Sequence, residues 1–483
     1  MRKIRAFAVL VASAGLLAAA LVSAGPAPAA TQQAGCAAQL AVSDRYVCGK
    51  LGDGAIYTFE VPHNWNGALF LYSHGYVTPG SALAAADVGD PVTGTWLLGH
   101  GYALAGSSYA TTGWAIQQAL PDQISTLNVF DRQVGTPART IAWGHSLGGI
   151  ITAGLIQDYP GRFSAALPMC GVLAGGVATW NAGLDGAFAF QQLIDPSVQV
   201  VNIANPTANL TGAEQAAAAA QQTAQGRARL ALAAALGDEP GWFTPLSPEP
   251  AAGDSATQEL NQYLWDTRVD FPFGFALRAE LEARAGGNPS WNTGVDYYRQ
   301  LARSANLREV IALYRAAGLS LRGDLATLNR APRVSADPSA VRYLAQNISF
   351  TGDISVPVLT MHTTGDGLVI PENEQAYASV VRRADNARLL RQVFVSRAGH
   401  CAFTPAETIT AVQALLGRLA TGRWDDEALR PASLNAAAAG LGPAENIFFS
   451  GGQIVATPPA FTRYRPPRYP RPFDLGPFRS FPH

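Results

Sequence analysis

Charge is the scarcest property of this 483-residue sequence. Charged side chains make up 14% of it, where soluble domains average about 25%. Lysine occurs only at Lys3 and Lys50, so arginine carries almost all the positive charge, and 34 basic residues nearly cancel 35 acidic ones. A nucleic-acid partner would require a basic surplus or stripe, so no nucleic-acid partner is expected. Cysteine is sparse as well, limited to Cys36, Cys48, Cys170 and Cys401 with no CxxC pair and no His/Cys cluster, which argues against a zinc site. After residue 25 no apolar run approaches the roughly 18 residues of a membrane span, so no stable membrane anchor is expected there. Glycine (48) and proline (32) are plentiful, yet neither shows a collagen-like or low-complexity period. The remaining inventory, 48% hydrophobic residues, is ample for a large buried core.

The N-terminus has the composition of an address. Arg2, Lys3 and Arg5 precede an apolar stretch from Ala6 to about Gly25, followed by Ala27-Pro28-Ala29. A positive start, an apolar middle and a small-x-small end describe a secretory signal peptide, here residues 1–29. A membrane anchor is the competing reading, and the Ala/Gly/Ser-rich run with its cleavage site suits it less well. Gln33-Ala34-Gly35-Cys36 carries Gln where a lipoprotein acylation site needs an aliphatic residue, so lipidation is not expected. Export to an oxidising compartment makes disulfides plausible, and four cysteines allow three pairings. Cys36–Cys48, a short staple, and Cys170–Cys401, a tie between distant segments, are favoured; buried free thiols are the alternative.

The pattern along the chain predicts strands at 55–61, 68–73, 103–108, 140–144 and 163–169, alternating with helices at 95–100, 116–130 and 147–159. Such alternation implies right-handed βαβ units and a mostly parallel sheet. The rhythm stops over 172–352, which is rich in Ala, Leu and Arg and reads as mostly helical. There Thr211-Gly-Ala-Glu214 looks like a capping box opening a helix to Gly237, with further helices at 255–265 and 295–317. The alternation then resumes with a strand at 358–362, a helix at 372–383 and a strand at 389–395. Thr404-Pro405-Ala406-Glu407 combines an N-cap, Pro at the first helical position and a reciprocal Glu, starting a helix to Thr421 that Gly422 ends. The expected organisation is therefore a signal (1–29), a core in two parts (30–171 and 353–422), a helical insertion (172–352) and a tail (423–483). The end of the tail, rich in Pro, aromatic rings and Arg, reads as an extended strap or as a contact surface for substrate or cell wall.

Within the core, Gly144-His145-Ser146-Leu147-Gly148 contains G-x-S-x-G. The pattern is short enough to arise by chance, and its context carries it: a predicted strand enters and a predicted helix leaves. A Ser at such a turn has crowded backbone dihedrals, which Gly144 and Gly148 relieve by lacking Cβ atoms. The Ser hydroxyl needs a base. Of the seven histidines, His145 adjoins the nucleophile, His362 lies in a predicted strand, His100 in a helix, His63 before a strand and His483 at the terminus. His74 sits in a glycine-flanked loop. His400 remains, in a loop between the last strand and the capped helix. Its orienting acid is Asp366, in Gly365-Asp366-Gly367 after strand 358–362, where an Asp-Gly turn is the plain alternative.

The order Ser146, Asp366, His400 is that of the α/β-hydrolase superfamily. GHSLGG, GDGLVIP and GHCAFT resemble motifs of secreted bacterial α/β-hydrolases of the esterase/lipase kind, over about 30–171 and 353–422. The resemblance implies an α/β fold with a mostly parallel central sheet flanked by helices and a large helical cap at 172–352. It also implies an oxyanion hole from the Leu147 and Tyr76 amides, with Gly75 permitting close approach. No HGGG motif is present, which sets the chain apart from hormone-sensitive-lipase-like esterases. A Cys beside the histidine is similar to tannases and feruloyl esterases, where it bridges to a neighbour of the Ser. Here His145 occupies that neighbouring position, and Cys170 on the adjacent strand is the expected partner of Cys401. Cap aromatics Trp180, Trp242, Phe243, Trp265 and Trp291 are candidates for substrate contact or, more simply, cap core; Ser107, Ser108, Tyr109 and Trp114 are candidates for lining the pocket.

The expected activity is hydrolysis of carboxylic esters, small or polymeric, through an acyl-enzyme, with no metal and no cofactor. A serine peptidase or amidase uses the same machinery and is the alternative; a non-catalytic binding module on the same fold is a remote one.

Overall fold

The computed structural model describes residues 35–450 and 452–473. The expected signal, 1–29, and the last ten positions of the tail lie outside the described residues. Strands are β1 (Arg45–Lys50), β2 (Ile56–Val61), β3 (Ala68–Ser73), β4 (Ala103–Ser107), β5 (Arg139–His145), β6 (Ala165–Met169), β7 (Val358–Gly365), β8 (Leu390–Ala398), β9 (Ile447–Ser450), β10 (Gln453–Ala456) and β11 (Phe461–Thr462). One sheet runs in the order β1-β2-β4-β3-β5-β6-β7-β8-β11, and β9 and β10 form a separate hairpin. From β4 through β8 neighbouring strands are parallel, while β1, β2 and β11 pair antiparallel at the two edges. This is the α/β-hydrolase fold.

The sequence explains the arrangement locally. β3 reads Ala-Leu-Phe-Leu-Tyr-Ser and is buried at every position, a continuous run rather than an alternation, as a parallel strand covered on both faces requires. Helices Ile116–Gln133, Leu147–Asp158 and Glu372–Arg383 contribute to the core on one face. Pro91–Gly99, Pro405–Thr421 and Pro431–Gly440 do so on the other. The Thr404 capping box forms as expected, its hydroxyl accepting from the Glu407 N–H and the Glu407 carboxylate from the Thr404 N–H. β1 escaped the sequence reading because RYVCGK is half polar and only partly covered; a disulfide joins its Cys48 to Cys36.

Between β6 and β7 the chain is mainly helical, with its own core of Phe190, Leu232, Phe271, Phe275, Tyr297 and Tyr314 among others. Two expected helices of this region take a different form. The helix expected from Thr211 starts at Pro206, because the Asn205 side chain accepts from the Ala208 N–H and Pro206 fits the first turn. It ends at Gln221, and the Thr223 side chain caps a separate helix, Ala224–Gly237. The helix expected over 295–317 is divided into Tyr297–Leu301, capped by Asp296, and Leu307–Ala317.

The tail returns across both regions. β11 pairs with β8. The Tyr469 N–H donates to Gln375 Oε1 at 3.1 Å. Arg471 Nη1 reaches both oxygens of Asp185 at 3.2 and 3.1 Å, and its Nη2 donates to the Trp291 carbonyl at 2.6 Å. Both members of this pair are buried, so removing one strands the other's charge. Arg471→Met is expected to lower unfolding free energy by about 3 kcal/mol, read as a shifted midpoint in chemical denaturation; an unchanged midpoint refutes this role for the tail.

Candidate active site

Ser146 closes β5 with φ 59° and ψ −122°, a left-handed value that costs a non-glycine residue about 1–3 kcal/mol. Tight packing imposes it. A Cβ at Gly148 would fall 1.8 Å from the Ser73 carbonyl oxygen, and one at Gly144 would fall 2.4 Å from the same atom. The turn therefore passes against the end of β3 in a space that only glycine leaves open. The Ser146 N–H donates to the Met169 carbonyl at 3.0 Å, fixing the turn to the end of β6. Leu147 begins the following helix, so its N–H belongs to the first turn, which has no partner within the helix.

Beside this turn lies Ser73-His74-Gly75-Tyr76. A Cβ on Gly75 would sit 3.4 Å from the Ser146 Cβ, so the loop backbone passes close beside the serine. His74 donates from Nδ1 to the Gly75 carbonyl at 2.7 Å and stacks on Tyr109 at 4.0 Å. The Tyr109 hydroxyl in turn donates to the His74 carbonyl at 3.0 Å. Burial lowers the His74 pKa. These contacts hold the loop against the serine turn; among the described residues neither the Tyr76 nor the Leu147 amide is hydrogen-bonded.

Asp366, fully buried, follows β7. Its Oδ2 accepts from His400 Nδ1 at 2.8 Å and its Oδ1 from the Val369 N–H at 3.0 Å. Burial pushes its pKa up, but His400 and His362 outweigh that and hold it below the usual carboxylate range. His362 is also fully buried, with Nε2 2.7 Å from the Val369 carbonyl and 3.5 Å from Asp366 Oδ2, and Nδ1 3.1 Å from Glu374 Oε1. Burial draws its pKa down, yet hydrogen bonds to Asp366 and Glu374 and their charges raise it to about 10. His145 behaves oppositely: burial, assisted by His400, lowers it to about 4.

Cys170, directly after β6, is bonded to Cys401, the neighbour of His400, with Cα atoms 5.4 Å apart. Because Met169 accepts from the Ser146 amide, this bond links the serine turn to the histidine loop through two residues. Cys170, His400 and Cys401 lie within 4.8 Å of one another. Both sulfurs are consumed in the disulfide, and a metal needs thiolates there.

Ser146, Leu147 and Tyr76 line a cavity of about 180 Å³ together with side chains of the helical region, among them Trp180, Phe190, Phe271 and Phe273. Of the aromatics singled out from the sequence, Trp180 and Trp114 face this cavity. Trp265 instead donates to the Trp242 carbonyl at 2.9 Å and packs edge-on to Phe243, and Trp291 lies against the core. Tyr109 supports the His74 loop. Among the residues of the site that the sequence reading does not single out are one from the tail and one beside Asp366. Tyr469, from the tail, lines the cavity. From the sequence His362 reads as a strand residue, although its spacing of four from Asp366 across a strand end is a usable signal.

No family model matches the chain. An o-phthalyl amidase from Xanthobacter agilis is 30% identical over 421 residues, covering 81% of this chain and 90% of that protein. The chain belongs to the o-phthalyl amidase family. Among solved structures, feruloyl esterase B from Aspergillus oryzae is 12% identical with a TM-score of 0.42, over 81% of this chain and 86% of that one. An acylaminoacyl peptidase from Pyrococcus horikoshii is 10% identical with a TM-score of 0.34, over 74% and 37% respectively. This member of the amidase family is a hydrolase, and the packing around its serine turn can be tested directly. Gly148→Ala puts a methyl group into the Ser73 carbonyl and is expected to cost about 3 kcal/mol and most of the activity. Thermal unfolding and turnover of the variant check this, and a variant equal to the parent in both refutes the packing.

Proposed function

We propose that the chain is an exported serine acyl hydrolase in which Ser146 attacks a carbonyl carbon and His400 takes the serine proton. His400 then returns a proton to the leaving group, and water releases the acyl group by the same steps. Asp366 orients His400 through Nδ1 and stabilises the imidazolium, and Nε2, 3.4 Å from Cys401 Sγ in the structure, is the nitrogen that takes the proton. The Leu147 and Tyr76 amides stabilise the oxyanion, each worth about 2.7–4 kcal/mol in the transition state. The observation that carries this reading is the 2.8 Å Asp366–His400 contact, tied by the Cys170–Cys401 bond to the glycine-flanked serine turn. The cavity supports a largely apolar acyl or leaving group, bounded on one side by the helical region acting as a cap. Residues 1–29 supply the export signal in this reading, and two disulfides suit an oxidising compartment.

The sequence alone favoured esters. Kinship with an amidase favours an amide as the bond the enzyme serves, and the same machinery cleaves activated esters more readily because their leaving groups need less help from a proton. A panel of p-nitrophenyl esters of rising chain length, aromatic acyl anilides, aminoacyl nitroanilides and a solid polyester separates the possibilities. Anilide turnover is expected, with Ser146→Ala lowering kcat by at least about 10⁴-fold. Activity that survives Ser146→Ala refutes the mechanism; ester turnover without any amide turnover returns the assignment to an esterase.

A further inference from the structure

His362 has no part in the triad, yet it is the other histidine within reach of the triad's carboxylate. Its hydrogen bonds define its proton count. Nε2 faces the Val369 carbonyl at 2.7 Å, and a carbonyl only accepts, so Nε2 carries a hydrogen. Nδ1 faces Glu374 Oε1 at 3.1 Å. The other oxygen of Glu374 is occupied by donors from Thr360 Oγ1 and Gln392 Nε2. A carboxylate so placed accepts at Nδ1 as well, and the ring is then an imidazolium. This buried cation lies 3.5 Å from the same Asp366 oxygen that holds His400.

We propose that His362 is a positioning residue: an imidazolium held by Glu374 and the Val369 carbonyl that fixes the charge and orientation of the Asp366 carboxylate beneath His400. The inference rests on the roles given above to Asp366 and His400. The charged and titratable groups facing His362 are Asp366, Glu374 and Glu372, with His400 beyond Asp366. Burial and Asp238 push the Glu372 carboxyl far above its usual range, partly offset by His362. Among these groups Asp366 is the one that also binds the proposed base, so the imidazolium acts on the base through Asp366. A cation there keeps Asp366 ionised into acid, and it also competes with His400 for the carboxylate's charge. Removing it makes Asp366 easier to protonate and the His400 cation better stabilised. Both changes move the acid limb of the activity profile upward.

The test uses the whole protein with His362→Gln and Glu374→Gln, each checked for folding by circular dichroism, and Ser146→Ala as control. In both neutralising variants the low-pH limb of kcat/KM is expected to move up by about one pH unit, the lower end of what a neighbouring opposite charge does. The high-pH plateau should change less than about threefold. A loss that is equal at every pH, with the limb in place, overturns the proposal and leaves His362 a packing residue. A second readout needs no activity. ¹⁵N-histidine NMR at about pH 8 should show one histidine with both ring nitrogens protonated, in the parent and in Ser146→Ala, and missing from His362→Gln. A neutral tautomer for His362 overturns the inference, whereas activity independent of Ser146 overturns the triad reading and leaves the protonation result to stand by itself.

Discussion

The Cys170–Cys401 bond joins two ends that the chain separates by 231 residues. One end follows β6 next to the carbonyl that holds the serine turn; the other adjoins the histidine in the loop after β8. Closing a loop of that length removes chain entropy from the unfolded state worth roughly 5 kcal/mol in the loop-closure account. Its local effect matters more for the site. The loop that enters helix Pro405–Thr421 is also held by hydrogen bonds, among them His400 to Asp366, Thr363 Oγ1 to the Gly399 carbonyl at 2.8 Å and Arg397 Nη1 to the Ala402 carbonyl at 2.7 Å. With the bond in place, the serine turn and the histidine loop share a fixed point at the end of β6.

Around that tie the sheet supplies the geometry. Parallel strands deliver Ser146, Cys170, Asp366 and His400 to the same edge, because each residue follows the C-terminal end of its strand. The serine turn is the costly element. It places a non-glycine residue at positive φ, and the compensation comes from the amide bond to Met169, from the helix that starts at Leu147, and from two glycines that admit the Ser73 carbonyl. Electrostatics reinforce the arrangement: a carboxylate with no solvent contact stays charged because two histidines share it, while His145 beside the serine stays neutral because burial and His400 both disfavour its cation.

The tail makes buried contacts with the helical region between β6 and β7. Arg471 and Asp185 form a buried pair that also engages Tyr297, Gln300 and Trp291. Tyr469, two residues earlier, becomes part of the cavity wall. Composition alone marked this stretch as rich in rings and arginine, which suits an extended segment with no core of its own. The partner of each ring and guanidinium was a matter of three-dimensional position.

Local chemistry was legible wherever the determinant was local. The strand, glycine-flanked serine and helix at 139–158, the Thr404 cap and the alternation of the core are set by residues within a turn of one another, and so the sequence reading of them agreed with the structure. Competing local signals were harder: Asn205-Pro206 outranked Thr211 as a helix start because it offered both a side-chain acceptor and a fixed φ one turn earlier. The ordered Ser, Asp and His were named from motif and order. What only the tertiary structure decided was which groups share a buried space: His362 with Asp366 and Glu374, Arg471 with Asp185, Tyr469 with the cavity. Arg471 and Tyr469 meet partners far away in the chain, so no window of sequence contains that information; His362 lies close to Asp366 and Glu374 in the sequence, but only the fold buries the three together, and burial gives the contacts their energy.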